Sequence, residues 1–232
     1  VSESTTLLPF AAIVVAAGKG LRAGGDVPKQ FAMWRGKPLV RHSVEALLAH
    51  GASDVVVAIP ENGDDAAHAA LAGLDGYRLV TGGETRQRSV RNALEALAGT
   101  SPLRVLIHDA ARPDIPSRVI AGLLEALDAA PGAIPVLPVV DSLAVAEGSV
   151  MSGKADREAM RRVQTPQAFR FDDILAAHRA WHGAPDAGDD AQVLKAHGGE
   201  VRLVEGDERL KKITFAEDFV NSIPASSGRI RL

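Results

Sequence analysis

Runs of β-branched apolar residues alternate with alanine- and leucine-rich stretches of helical period down most of this chain, and nothing else in the sequence restricts the fold as much. Such alternation predicts βα units and a parallel sheet with helices on both faces. Strands are expected at 11–15, 54–59, 77–80, 104–108, 132–139 and 201–205, each buried on both sides. Helices are expected at 39–50, 64–74, 86–98, 117–130 and 171–181, where apolar residues recur at helical spacing. One region breaks the pattern. Leu143, Val145, a Glu147-Gly148 turn signal and Val150 precede a short basic stretch read as a helix, so residues 139–163 are expected to form a protruding hairpin arm. With 232 residues and no internal repeat or low-complexity linker, one domain over 1–232 is the expectation. The first few residues and the 221–228 stretch are expected to be loose.

Composition then excludes several classes of function. A formal net charge of −3 gives no general basic field, which argues against nucleic-acid partners. The absence of cysteine removes disulfides and thiolate metal sites and fits a reducing cytoplasm. The apolar run 11–17 is far too short to cross a bilayer, so no membrane partner is expected.

The first strand runs directly into Ala16, Ala17, Gly18, Lys19 and Gly20, small residues that let backbone N–H groups approach phosphate oxygens. Gly18 to Ala23 also spells the G-x-G-x-x-A dinucleotide fingerprint. That fingerprint needs an immediate helix and an acidic residue about 20 positions on; here Gly24, Gly25 and Pro28 interrupt the helix and the next strand ends near Pro60-Glu61. The Walker pattern fails as well, because neither Ser nor Thr follows Lys19. Arg22 and Lys29 follow in the same loop and aim two positive charges at whatever the glycines hold. Nucleotidyl transfer needs that arrangement, since cations facing developing negative charge do most of the work. Asp109 ends an apolar strand at a sheet edge where α/β ligands bind; Mg²⁺, a substrate hydroxyl and a plain capping role all remain open for it. His108 reads as packed rather than catalytic.

Taken in order, Ala-Ala-Gly-x-Gly-x-Arg, Pro28-Lys29-Gln30, Gly82-Gly83 through Arg86 and Ser89, His108-Asp109-Ala110-Ala111-Arg112 and Thr165-Pro166-Gln167 resemble the 2-C-methyl-D-erythritol 4-phosphate cytidylyltransferases. The resemblance spans about residues 10–220. It implies a Rossmann-like, mostly parallel sheet with a dimerising arm, and transfer of CMP from CTP to methylerythritol phosphate with release of pyrophosphate, in nonmevalonate isoprenoid synthesis.

It further implies that Arg22 and Lys29 stabilise the transition state at the CTP α-phosphate, and that Gly82, Gly83, Glu84 and Ser89 recognise cytosine and ribose. Glu84 stands where the family more often has Asp. Ser142, where threonine is usual, and Arg157 on the arm would reach the sugar phosphate across a homodimer, and Thr165 and Lys212 would contact it as well. Lys212 would orient the nucleophile with Arg157, although Lys211 sits beside it. Mg²⁺ would be carried mainly by the CTP phosphates, Asp189-Asp190 would be structural, and Arg161 and Arg162 read as solvated helix charges. Ribitol-5-phosphate cytidylyltransferase, a purine-nucleotide sugar-phosphate transferase and a non-catalytic nucleotide-binding subunit are the rival readings. Because the chain ends on a basic-apolar run, it is also expected to be the N-terminal part of a fusion to a cyclodiphosphate synthase, an arrangement found in this family.

Overall fold

A computed structural model describes residues 9–18, 28–182 and 187–220. At its centre lies β1 (Phe10–Val15), parallel to β4 (Ala52–Ile59) on one side and to β6 (Arg104–Asp109) on the other. Beyond β4 comes β5 (Tyr77–Thr81), also parallel. On the far side of β6, β11 (Gln167–Arg170) runs antiparallel and joins β7 (Gly132–Pro138), which in turn pairs with β10 (Arg161–Val163) and, in parallel, with β12 (Val201–Glu205). The eight-stranded sheet is therefore mostly parallel, as the alternation predicts.

Successive residues of β1 face opposite layers. Phe10, Ala12 and Val14 pack with α1 (Leu39–Ala49), α2 (Asp64–Ala70) and α4 (Ser117–Ala126); Ala11 and Ile13 pack with α3 (Arg86–Leu97), α5 (Phe171–Ala180) and α6 (Asp190–Ala196). Helix α3 shows why these stretches are helical. Val90, Ala93, Leu94 and Leu97 lie at i, i+3, i+4 and i+7 and are fully buried, and the Thr85 hydroxyl caps the first turn by accepting from the Arg88 N–H.

Four expectations need correction. β5 and β12 are not buried on both faces: each lies at a margin of the sheet, and Leu203 is 58% exposed. The hairpin is real, with β8 (Ala144–Glu147) against β9 (Val150–Lys154), but the helix expected after it is only a 3-10 turn at Arg157–Ala159. Arg161 and Arg162 accordingly sit on strand β10, because pairing with the edge of β7 outweighs local helical preference. Finally, α2 and α4 stop at Ala70 and Ala126, short of the expected ends. Besides β10, β11 and α6, the small β2 (Met33–Trp34) and β3 (Lys37–Pro38) ladder, the terminal α7 (Ala216–Val220) and the 3-10 turns at Lys29–Phe31 and Glu208–Leu210 also went unpredicted.

Candidate active site

The chain runs from β1 through α1 and α2 to β5, then crosses back through α3 to β6 on the other side of β1. This reversal opens a crevice at the carboxyl ends of β1 and β6, the place where open α/β sheets bind ligands. Loops after β1, β5 and β6 meet there. Lys19, Gly20 and Arg22 lie outside the described residues.

Ala16 continues the β1 ladder with its N–H donating to the Ala58 carbonyl at 2.8 Å. Gln30, buried beneath the loop, donates its amide to the carbonyls of Ala16 (2.7 Å) and Gly18 (2.9 Å). It is a structural pin that the sequence offered only as the third letter of Pro28-Lys29-Gln30. Opposite, the Gly82 N–H donates to the Ile59 carbonyl at 2.8 Å, and the Gly83 N–H donates to Ser89 Oγ at 3.0 Å. A Cβ at Gly82 would stand 2.3 Å from the Ala17 Cβ, so the two loops touch only because residue 82 has no side chain. Ser89 is buried and holds the turn; Glu84 is exposed beside it.

Asp109 is the electrostatic centre. Its Oδ1 accepts from Arg86 Nε at 3.0 Å and its Oδ2 from Lys212 Nζ at 2.8 Å. Burial alone would raise the pKa of this carboxyl, but the facing charges of Arg86 and Lys212 prevail and hold it far below the usual range. Arg86 also donates Nη1 to Asp190 Oδ2 at 2.7 Å. Burial disfavours its charge, yet Asp190 and Asp109 outweigh that and raise its pKa above that of an ordinary arginine. Of the two adjacent lysines, Lys211 pairs with Asp218 and Lys212 with Asp109 in the crevice. Lys29 Nζ donates to the Ile213 carbonyl at 3.1 Å, placing a second cation beside the Lys212 segment, which is itself tied to the loop after β6 by the Ile213 N–H donating to the Ala111 carbonyl.

Thr165 and His108 lie directly behind. The Asp109 N–H donates to Thr165 Oγ1 at 3.0 Å, and Thr165 Oγ1 is 3.2 Å from His108 Nδ1. His108 Nε2 is 2.8 Å from the Arg112 carbonyl, so a neutral imidazole with its proton on Nε2 satisfies both contacts. Complete burial pushes its pKa down to about 4. His108 is thus packed, as its sequence context suggests. Asp190, fully buried against Arg86, belongs to the interior.

Ser142 and Arg157 are not brought to this centre. Both are exposed on or beside the arm, where Arg157 donates to the Val140 carbonyl at 3.0 Å and pairs with Glu158. As for a divalent metal, no group of three or more His or carboxylate side chains converges among the described residues. Asp109 stands in the crevice with one cation on each oxygen and lone pairs to spare. That donor set suits a metal delivered on substrate phosphates rather than a protein cage.

A family model, IspD: 2-C-methyl-D-erythritol 4-phosphate cytidylyltransferase, matches residues 10–223. The chain belongs to that family. The "Bifunctional enzyme IspD/IspF" of Erythrobacter litoralis is 69% identical over 211 residues, covering 91% of this chain and 55% of that protein. The 2-C-methyl-D-erythritol 4-phosphate cytidylyltransferase of Cereibacter sphaeroides is 50% identical, covering 91% of this chain and 94% of that one. The crystal structure of the cytidylyltransferase of the same name from Thermus thermophilus superposes with a TM-score of 0.73 at 35% identity, covering 93% and 97% of the two chains. The chain spans about half the length of the bifunctional relatives it matches. Within the family match, the Arg86–Asp109–Lys212 network and the Gln30 pin are what set the geometry of the crevice in this member.

Proposed function

We propose that this chain transfers CMP from CTP to 2-C-methyl-D-erythritol 4-phosphate, giving 4-diphosphocytidyl-2-C-methyl-D-erythritol and pyrophosphate. The observation that carries this reading is the convergence of two glycine-bearing loops and the Asp109–Lys212 pair on one crevice at the sheet switch point. The small-residue loop after β1 takes the triphosphate, while Gly82, Gly83 and Ser89, with Glu84 at their margin, take the base and ribose. An oxygen of the substrate phosphate, largely ionised at neutral pH because its second pKa is about 6, forms a new bond to the CTP α-phosphorus. The bond from that phosphorus to the bridging oxygen breaks, and pyrophosphate carries away the electron pair. No protein base is required.

Arg22 and Lys29 offset the charge that builds on the α-phosphate. Lys212, Thr165 and Asp109 hold the polyol phosphate from this subunit, and Ser142 and Arg157 reach it from the arm of a second copy. The arm suits that role: residues 140–163 are exposed or half-exposed throughout, with Val150 and Met151 about two-thirds exposed. Mg²⁺ bound mainly through the CTP phosphates, with Asp109 nearby, would supply further charge neutralisation. We place the reaction in the cytoplasm, and in the native protein we place a cyclodiphosphate synthase unit after this chain, as the names of the bifunctional relatives suggest.

The test is pyrophosphate release with CTP and Mg²⁺, offering methylerythritol 4-phosphate or ribitol 5-phosphate, with Arg22→Ala as control. Release with the first substrate alone, lost in the control, is expected. Preference for ribitol 5-phosphate would assign a different acceptor, and no release with either would overturn the catalytic reading.

A further inference from the structure

Behind Asp109 the charges continue into the core. Asp190, 1% exposed in its side chain at the start of α6, accepts from Arg86 Nη1, and the fully buried His178 of α5 stands 3.3 Å from its other oxygen, outside hydrogen-bond geometry. Arg86 in turn grips Asp109 through Nε, and Asp109 holds Lys212, whose side chain is 45% exposed at the crevice mouth. Four side chains of alternating sign thus run from the interior to the surface, from α6 through α3 and β6 to the 212 segment. Two features argue that this is more than a brace between helices. Arg86 is the first residue of α3, where a cation has the wrong sign for the helix dipole, so local helix energetics do not account for it. Its guanidinium is also a rigid plane that fixes the angle between two carboxylates, which a flexible ammonium does not do.

We propose that Arg86 and Asp190 are positioning residues: Asp190 locks the Arg86 fork, the fork sets the rotamer of Asp109, and Asp109 holds the Lys212 ammonium where it meets the acceptor phosphate. The proposal rests on the reading of Lys212 given above. Lys212 is a half-exposed charge on a four-carbon stem, and without the chain behind it nothing in the described residues fixes its position from the buried side.

Asp190→Asn tests this from the rear, with Arg86→Lys as the second variant should the first fail to fold by circular dichroism. Each is made alone and together with Lys212→Gln. The expected result is a loss on the order of tenfold in kcat/KM for the acceptor phosphate, with the calorimetric Kd for CTP within about twofold of the parent chain. That loss should vanish in the Lys212→Gln background, since the relay then has nothing to position. Losses that multiply in the double variant, or an equal loss in CTP affinity, would overturn the proposal in favour of a structural ion pair. A second readout does not depend on turnover: the rate at which an amine-acylating reagent labels Lys212, followed by peptide mass spectrometry. Faster labelling in Asp190→Asn supports the relay and an unchanged rate sinks it. If the parent chain shows no transfer at all, the functional reading has failed, and labelling alone decides the relay.

Discussion

Gly82→Ala probes the narrowest point of the crevice. The new Cβ would lie 2.3 Å from the Ala17 Cβ, 2.8 Å from Ser89 Oγ and 3.1 Å from the Ile59 carbonyl oxygen. Carbon atoms rest about 3.5–4.0 Å apart, so the loop carrying Ala17 has to recede by more than about 1 Å. Neither side yields easily, because Gly82 N–H is bound to Ile59 and Ala16 N–H to Ala58, both at 2.8 Å, and Gln30 pins the Ala16 carbonyl from below. Overpacking of this kind costs about 1–3 kcal/mol of stability. A displacement of about 1 Å at a phosphate cradle is worth roughly a hundredfold in rate, or about 2.7 kcal/mol of transition-state stabilisation. Thermal melting, CTP calorimetry and pyrophosphate release on the same protein separate the two effects. The expected outcome is a folded variant with a lowered Tm, weakened CTP binding and kcat/KM down about a hundredfold. Adding Ala17→Gly removes the atom that collides, so the double variant should recover most of the CTP affinity. Wild-type CTP binding in Gly82→Ala would show that the two loops do not form one pocket, and failure of Ala17→Gly to recover anything would place the damage at Ser89 instead.

Four other outcomes are expected. His108 is neutral in the fold, with its pKa pushed down to about 4 from 6.5 in the unfolded chain. Stability from this group is therefore complete above pH 6.5 and lost as pH falls to 4, by up to about 3 kcal/mol; urea titrations at pH 7 and 4.5 should show it, with a smaller difference in His108→Gln. Gln30→Ala leaves two carbonyls of the β1 loop without their donor, costs about 1–3 kcal/mol and raises KM for CTP, as denaturation and kinetics would reveal. Lys212→Gln should raise KM for the acceptor phosphate on the order of tenfold while Kd for CTP holds, and equal weakening of both substrates would refute its placement. Met151→Glu puts a charge on the exposed face of the arm and should shift sedimentation toward a monomer with activity falling in parallel; an active monomer would remove the arm from the site.

What was legible in the sequence is what the backbone does locally. Residues 11–15 read as a strand because each is apolar, and four of the five are fully buried against one layer or the other; Gly82 enters only through the family resemblance, and its close approach to Ala17 shows only in the fold. β10 and β11 escaped notice for the converse reason. Arg161–Val163 and Gln167–Arg170 carry little strand propensity, and they are held by β7 and β6, partners distant in sequence that short-range reasoning does not supply.

The charge network shows the same boundary at the level of chemistry. Arg86 lies 23 residues from Asp109 and 104 from Asp190, while Lys212 lies 103 from Asp109. No spacing rule joins such positions, yet each one has a local reason to be where it is. Arg86 follows a capping threonine at the first turn of α3, Asp109 closes an apolar strand, and Asp190 follows the capping Asp189 of α6. The sheet brings Arg86 and Asp109 to one side, because both lie at the carboxyl ends of parallel strands, after β5 and at the end of β6, while Asp190 reaches them from α6, which follows α5 rather than a strand. A site of alternating charge therefore follows from where helices begin and strands end. Burial separates the two ends: Asp190 is enclosed in the core and meets Arg86, whereas Lys212 is half-exposed at the crevice, so under the proposal above Asp190 acts only through the cations it holds in line.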